Sequence, residues 1–521
     1  MNTSTYKLPD VFWTGLIAAF TVVVHMATYN TLGFHRDELL YLALGKHLAA
    51  GYWSNPPLIG FISYFAQLLP GNTLFTLRLF PALAGALLII ITGLMTKELG
   101  GKTYAQVLAC IALAVSLLFM RAFSMFQPVC FDILFWSLIL YVFLRYINTE
   151  KSVYLILAGV VFGFGFLNKY MVVFLAAGLA IGVLPTSNRR LWINKYSWLA
   201  ILVALLLLLP NIIWQYIHGF PVLHHMKELK ETQLVNVKRM NIILDQILMF
   251  TISALVWVAG LIWLLRSGNA KKFRVFGYAY VAILLIFLLL RGKSYYMAGM
   301  YPILFAAGGV SWEMLVKRKA SRILLVSFII LLTIPILPGA IPFMSAPRLV
   351  SYFSRISPKM GGEALVRWED GKMHPLPQDY ADMLGWDELG SVVLKACDTI
   401  KDKKRIMIYC ENYGQAGAVD YCARCHGLPE VISFADAYCL WAPDTISKSQ
   451  DIFIYVNDEL GADVDSIFAN IIVAGSITNP YAREKGTTVY MCREPRADFP
   501  AFWKRRVMEV KRDLGLETSR N

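Results

Sequence analysis

"HRDELLYLALGKHLAAGYWSNPPLIGF" runs from His35 to Phe61. A long apolar stretch precedes it and mostly apolar sequence follows. Four ionisable residues, His35, Arg36, Asp37 and Glu38, stand side by side where a membrane-length segment ends. Each needs water, a partner or a chemical task, because an unpaired charge near hydrocarbon is costly. Leu40, Leu44 and Leu48 recur every four residues, which predicts an amphipathic helix lying on the membrane surface. Asp37 then reads either as the N-cap of that helix or as a functional acid. "GYWSNPPLIGF", a Pro-Pro turn flanked by aromatics, closes the same loop.

The surrounding composition sets the class. Hydrophobic residues make up 57% of the chain and charged residues 16%, with a mean hydropathy of +0.53. A soluble domain carries about 25% charge. About eleven apolar segments approach the length that spans a bilayer: 11–30, 74–96, 104–120, 130–147, 153–168, 170–184, 197–216, 246–265, 275–290, 297–316 and 321–342. No small-residue cleavage site follows the first, so it reads as a retained anchor. With the N-terminus in the cytoplasm, the inner connections become "TKELGGKTY", "NTEKS", "PTSNRRLWINKY", "RSGNAKKFR" and "VKRKASR". They are short and basic, as the positive-inside rule requires. The opposite face then carries 31–72, 121–129, 217–245, 291–296 and everything after 343. The net charge of +14 is thus mostly a topology signal. It does not form one basic patch, which argues against nucleic acid as a partner.

Three regions follow: a transmembrane domain over 1–342, a Pro-, Gly- and charge-rich linker over 343–385, and an extracytoplasmic α/β domain over 386–521. In the last, "WDELGSVVLKACDTI" has helical spacing. "RIMIYC", "DIFIYV", "NIIVAGSI" and "TTVYMC" are short β-rich runs. "GQAGAVDYCARCHG" reads as a helix ended by Gly427. A small mixed sheet is expected.

A second acid, Asp132 in "FQPVCFDILFW", falls on the same outer face as Asp37. Its plain reading is a helix-start acid that complements the dipole. Basic residues also collect on that face: Arg36, Lys169, Arg291 and Lys293 among them. Lys169 and "RGKSYY" (Arg291–Tyr296) border membrane segments directly. Singly, each reads as a snorkelling side chain. With two acids on the same face they suggest a place where an anionic lipid head group meets an acceptor.

The opening stretch resembles the first outer loop of bacterial glycosyltransferase family 39. That family is related to protein O-mannosyltransferases and lipid A aminoarabinose transferases, which are C-fold, polyprenyl-phosphate-sugar-dependent enzymes. The likeness continues through "FDILFWSLILYVFLR", "FLNKYMVVFL", "LPNIIWQYIHGFPVL" and "KSYYMAGMYPILFAAGG". It reaches "ENYGQAGAVDYCARCHGLP" (Glu411–Pro429) in the C-terminal region. The resemblance implies a multi-pass helical membrane enzyme with an outer-loop active site and an extracytoplasmic α/β domain. It implies an inverting transfer from a polyprenyl-phosphate sugar to a glycan, lipid or protein acceptor at the inner membrane's outer face. Asp37 matches the family's base, Glu38 its partner and Asp132 the second outer-loop acid. Lys169, Arg291, Lys293, Tyr295 and Tyr296 become candidates for the donor phosphate, with Arg36, Tyr41 and Tyr170 as further substrate contacts. Aminoarabinose transferases carry a Glu-Lys pair before the loop's proline, where this chain has Ser54-Asn55. Neither that lysine's phosphate role nor a metal tied to that glutamate carries over.

The chemistry suits these residue types. A phosphate leaves readily as an anion, so no protein acid is needed. Fixed cations stabilise its growing charge, and a carboxylate takes the acceptor's proton. No cofactor is required, although a divalent cation at His35, His218, His224 and His225 is a candidate. "CARCH" (Cys422–His426) matches the c-type haem attachment signature. A disulfide or a small metal site using Cys410 or Cys439 suits an outer domain better, and free thiols are a further alternative. The competing function is a transporter or flippase of lipid-linked sugars. It lacks support from internal repeats or midplane charges.

Overall fold

The computed structural model describes residues 8–360, 363–424, 426–496 and 498–516. The chain forms two compact units. One comprises Met1–Tyr29, Phe75–Ile212 and Glu228–Ile341, and the other Asn30–Leu74, Ile213–Lys227 and Pro342–Asn521.

The first unit is helical and apolar. Five helices are long and apolar enough to cross a membrane: Thr73–Glu98, Pro128–Thr149, Lys195–Ile217, Gly268–Leu290 and Lys319–Gly339. Two bent pairs, Val172–Val183 with Ser187–Ile193 and Arg239–Leu248 with Thr251–Arg266, raise that to seven if each is one span. The apolar segments read from the sequence therefore include several that are short or broken. Val153–Asn168 is one of these; its 16 residues span only ~24 Å at 1.5 Å per residue. Pro128–Thr149 is 67% buried across its apolar window, whereas Lys195–Ile217 is 17% and Lys319–Gly339 11% buried. The first is an interior helix; the other two present leucine and isoleucine outward, as lipid-facing helices do. Gly260 lies against Leu304, and Gly308 against Val256. Small residues at this crossing let Ala254–Arg266 and Tyr301–Leu315 approach backbone to backbone. The chain is a multi-pass membrane protein.

The second unit is built on a five-stranded mixed sheet: β1 (Ile406–Cys410), β2 (Val431–Ile432), β3 (Ile452–Asn457), β4 (Phe468–Ser476) and β5 (Thr488–Pro495). The order is β2-β1-β3-β5-β4, with β1 parallel to β2 and β3, and β5 antiparallel to β3 and β4. Both faces are covered, which explains why β1 is buried at every position and reads as a continuous apolar run. Met407 and Tyr409 pack with Phe499, Trp503 and Val507 of the C-terminal helix Phe499–Asp513. Helix Tyr413–Arg424 is the crossover from β1 to its parallel neighbour β2. The 343–385 stretch includes a helix, Ala346–Met360.

Helix Arg36–Lys46 corrects one expectation. Every residue from Glu38 to Gly45 is buried, so it is not a helix resting on a membrane surface. It packs between helices Leu58–Leu68 and Tyr413–Arg424. Four-residue leucine spacing suits a lipid-facing stripe and a protein-facing one equally.

Candidate active site

Two capping boxes build the cluster around Asp37. In the first, the His35 backbone N–H donates to Glu38 Oε2 at 2.8 Å, and His35 Nδ1 accepts from the Asp37 N–H at 3.2 Å. His35, not Asp37, is therefore the N-cap, which leaves the Asp37 carboxylate available for other contacts. In the second, the Gln415 N–H donates to Asn412 Oδ1 at 2.9 Å, and the Asn412 N–H to Gln415 Oε1 at 3.3 Å. This reciprocal Asn-x-x-Gln pattern starts the crossover helix just past β1 and puts Tyr413 in its first turn. The side-chain amides of Asn412 and Gln415 each donate to Glu484 Oε2 at 3.0 Å.

The two helix starts meet. Tyr413 Oη donates to Asp37 Oδ1 at 2.8 Å, and the Arg36 guanidinium lies 4.4 Å from the centre of the Tyr413 ring. Burial, then the charge of Asp37, pushes the Tyr413 phenol well above its ordinary range. It stays neutral and can only donate to an ionised carboxylate. The Arg36 backbone N–H donates to Asp382 O at 3.1 Å, and the Asp382 carboxylate takes Arg483 Nη1 at 3.1 and 3.3 Å. Burial raises the Asp382 carboxyl despite the opposing charges of Arg483 and Arg36. Arg36 Nε is buried with no hydrogen-bond partner among the described residues, an N–H suited to an anion. Asp37 keeps 30% of its side chain exposed, enough to meet a substrate. Glu38 is fully buried and serves the cap, and Tyr41 is buried in the same helix.

A second cluster lies in the helical unit. Asp132 is buried, accepts from Trp136 Nε1 at 3.1 Å and feels the charge of Lys169. Lys169 follows the end of helix Val153–Asn168, and Asn168 Nδ2 ties that end to Pro128 O at 2.9 Å. Lys169 Nζ stands 5.5 Å from the ring centres of both Tyr295 and Tyr296. Asp132, Lys169, Tyr295 and Tyr296 are thus brought together. Tyr170 donates to Asn211 Oδ1 at 3.2 Å. Lys293 Nζ donates to Gln233 Oε1 at 2.6 Å, and Arg291 Nη1 to Val235 O at 3.4 Å, so these two cations turn toward the 233–235 segment.

The histidines do not assemble a cation site. His35 is a cap, His218 stacks on Trp214, His224 packs near Trp53, and His225 lends charge to Asp436. Among the described residues no three His, Cys, Asp or Glu side chains converge to hold a metal, so this donor set does not fit the candidate cation. Cys110, Cys397, Cys410, Cys439 and Cys492 are free thiols; burial pushes Cys397 up to about 11 and Cys492 to about 12. Cys425 lies outside the described residues, and the haem-like motif with it.

The sequence reading missed Tyr413, Asp382 and Arg483. Tyr413 lay inside the quoted "ENYGQAGA" stretch, and its Asn-x-x-Gln spacing was the available signal. Asp382 and Arg483 carried none.

Residues 54–214 match the family described as dolichyl-phosphate-mannose-protein mannosyltransferase. Lipid A galacturonosyltransferase RgtD of Rhizobium johnstonii is 28% identical over 224 residues, 41% of this chain and 45% of that protein. Lipopolysaccharide core galacturonosyltransferase RgtB of the same organism is 28% identical over 215 residues, 39% and 42% respectively. The matched stretch spans less than half the length of these relatives. A crystal structure of ArnT from Cupriavidus metallidurans bound to undecaprenyl phosphate superposes with a TM-score of 0.63 at 15% identity, covering 92% of this chain and 98% of that one. The chain accordingly has the fold of ArnT, with a small C-terminal sheet domain.

Proposed function

We propose that this chain is an inverting glycosyltransferase. It takes a sugar from a polyprenyl-phosphate donor and passes it to an acceptor of the lipid A or core-glycan class. The observation that carries this reading is the Asp37 carboxylate: partly exposed, oriented by Tyr413 and flanked by Arg36, in a chain with the fold of ArnT. The relatives' galacturonosyl activities make a hexuronosyl donor the first to test. The reading includes an inner-membrane location with the Asp37 loop extracytoplasmic, an orientation that the basic connections support.

In the reaction the acceptor oxygen attacks the anomeric carbon while the carbon–phosphate-oxygen bond breaks. The bonding electron pair leaves with the phosphate, and the acceptor's proton passes to Asp37. Lys169, held beside Tyr295 and Tyr296, supports the phosphate as its charge grows. The unsatisfied Arg36 N–H serves an anionic group of donor or acceptor.

The test is transfer by purified full-length protein in detergent, using polyprenyl-phosphate galacturonic acid and a lipid A acceptor. Asp37→Asn should lower turnover about 10²- to 10⁴-fold while leaving expression and thermal unfolding unchanged, because the His35 and Glu38 cap survives. Turnover at the wild-type rate would remove Asp37 as base.

A further inference from the structure

We propose that Tyr413 is a positioning residue for Asp37, so that the first strand–helix turn of the C-terminal sheet domain is part of the catalytic apparatus. This rests on the reading of Asp37 as base and goes beyond it by naming what sets that base's geometry. Tyr413 and Asp37 are 376 residues apart in sequence, yet joined by a 2.8 Å hydrogen bond. Three features aim that bond. The Asn412–Gln415 capping box fixes where the crossover helix begins, and both side chains are anchored on Glu484. Gly417 lets that helix close onto Leu39: a Cβ there would stand 2.8 Å from Leu39 Cβ and 2.9 Å from its carbonyl carbon. The Arg36 guanidinium over the ring limits its tilt. Parallel strands present ligand-handling residues at their carboxyl ends, and Tyr413 sits just beyond that end of β1.

A carboxylate that rotates freely offers its lone pairs in many directions. One with an oxygen held by a neutral phenol offers them in few, and aligned proton acceptance depends on such orientation. Charged and titratable groups facing Asp37 are His35 and Arg36 on its own helix, Asp382, Asp436 and Tyr413 itself. Of these, Tyr413 donates its phenol hydrogen to the Asp37 carboxylate.

The experiment compares Tyr413→Phe with Asp37→Asn in the full-length protein. Tyr413→Phe keeps the ring under Arg36 and loses only the donor. Its kcat should fall roughly 10- to 100-fold with donor KM changed by less than about threefold. An inactive Asp37→Asn beside a Tyr413→Phe with wild-type kcat overturns the positioning role and leaves the base. A fully active Asp37→Asn overturns both. If Tyr413→Phe lowers thermal stability, difluorotyrosine at 413 keeps ring and hydroxyl while strengthening the donor. Turnover that tracks the phenol's acidity supports the proposal; turnover indifferent to it does not.

Discussion

Asp37 and Lys169 both stand at a helix terminus, but they are held differently. Asp37 is fixed through a capping box at the start of its own helix, a phenol from a second helix, and a backbone hydrogen bond from Arg36 to Asp382, whose carboxylate pairs with Arg483. Lys169 stands beside two aromatic faces and a buried acid, contacts less directional than a hydrogen bond. A base must meet one proton along one line. A cation serving a phosphate need only be near a spread charge. The difference in restraint mirrors the difference in proposed task.

From that contrast, the largest losses are expected in the Asp37 cluster. Removing the base with Asp37→Asn should cost about 10²- to 10⁴-fold in kcat. Gly417→Ala comes next. Its Cβ meets Leu39 backbone atoms, which cannot swing aside as a flexible side chain can. The two helices must part slightly, lowering stability by about 1–3 kcal/mol. A shift of about 1 Å between Tyr413 and Asp37 would lower turnover by up to about 100-fold. Turnover and a fluorescence-detected melt check both effects; wild-type values in each would mean the contact adapts and the restraint is looser than the geometry suggests. Lys169→Ala should be milder, a fall of about 10- to 100-fold in kcat. Lys169→Arg should recover part of it, since a guanidinium also rests well on tyrosine rings. Equal damage from arginine and alanine would mean that Lys169 is as tightly specified as Asp37.

The same contrast explains what the sequence could reveal. β-rich runs such as "RIMIYC" and "DIFIYV", and the spacing of "WDELGSVVLKACD", mark elements that form in the structure, because alternation and helical period are local properties. The two-residue β2 is too short to leave a pattern. The burial of helix Arg36–Lys46 was hidden for another reason: a leucine every fourth residue shows an apolar stripe, not what covers it. Asp37 and Glu38 stood out as adjacent acids at a segment end. Their different uses, one reaching Tyr413 and one closing a cap, depend on backbone direction at His35. Tyr413 could not be joined to Asp37 from periodicity, since the bond spans 376 positions and is made by the tertiary fold.

Lys293 gives the smallest expected effect and the finest test of the contrast. Its ammonium donates to a neutral amide, Gln233 Oε1 at 2.6 Å. A cation held this way can exchange the amide for a phosphate at small cost, because a hydrogen bond to a neutral acceptor is worth about 1 kcal/mol net. If it makes that exchange as charge develops, Lys293→Ala should lower kcat by about tenfold with donor KM little changed. Gln233→Ala should then do no harm, or raise kcat by up to about threefold, because it releases the ammonium. If Lys293 instead only braces the 233–235 segment, both variants should lower thermal stability together and leave kcat alone. Measuring kcat, KM and melting temperature for the pair separates the two, and a stability-only outcome would confine the phosphate contact of the helical unit to Lys169 and its tyrosines.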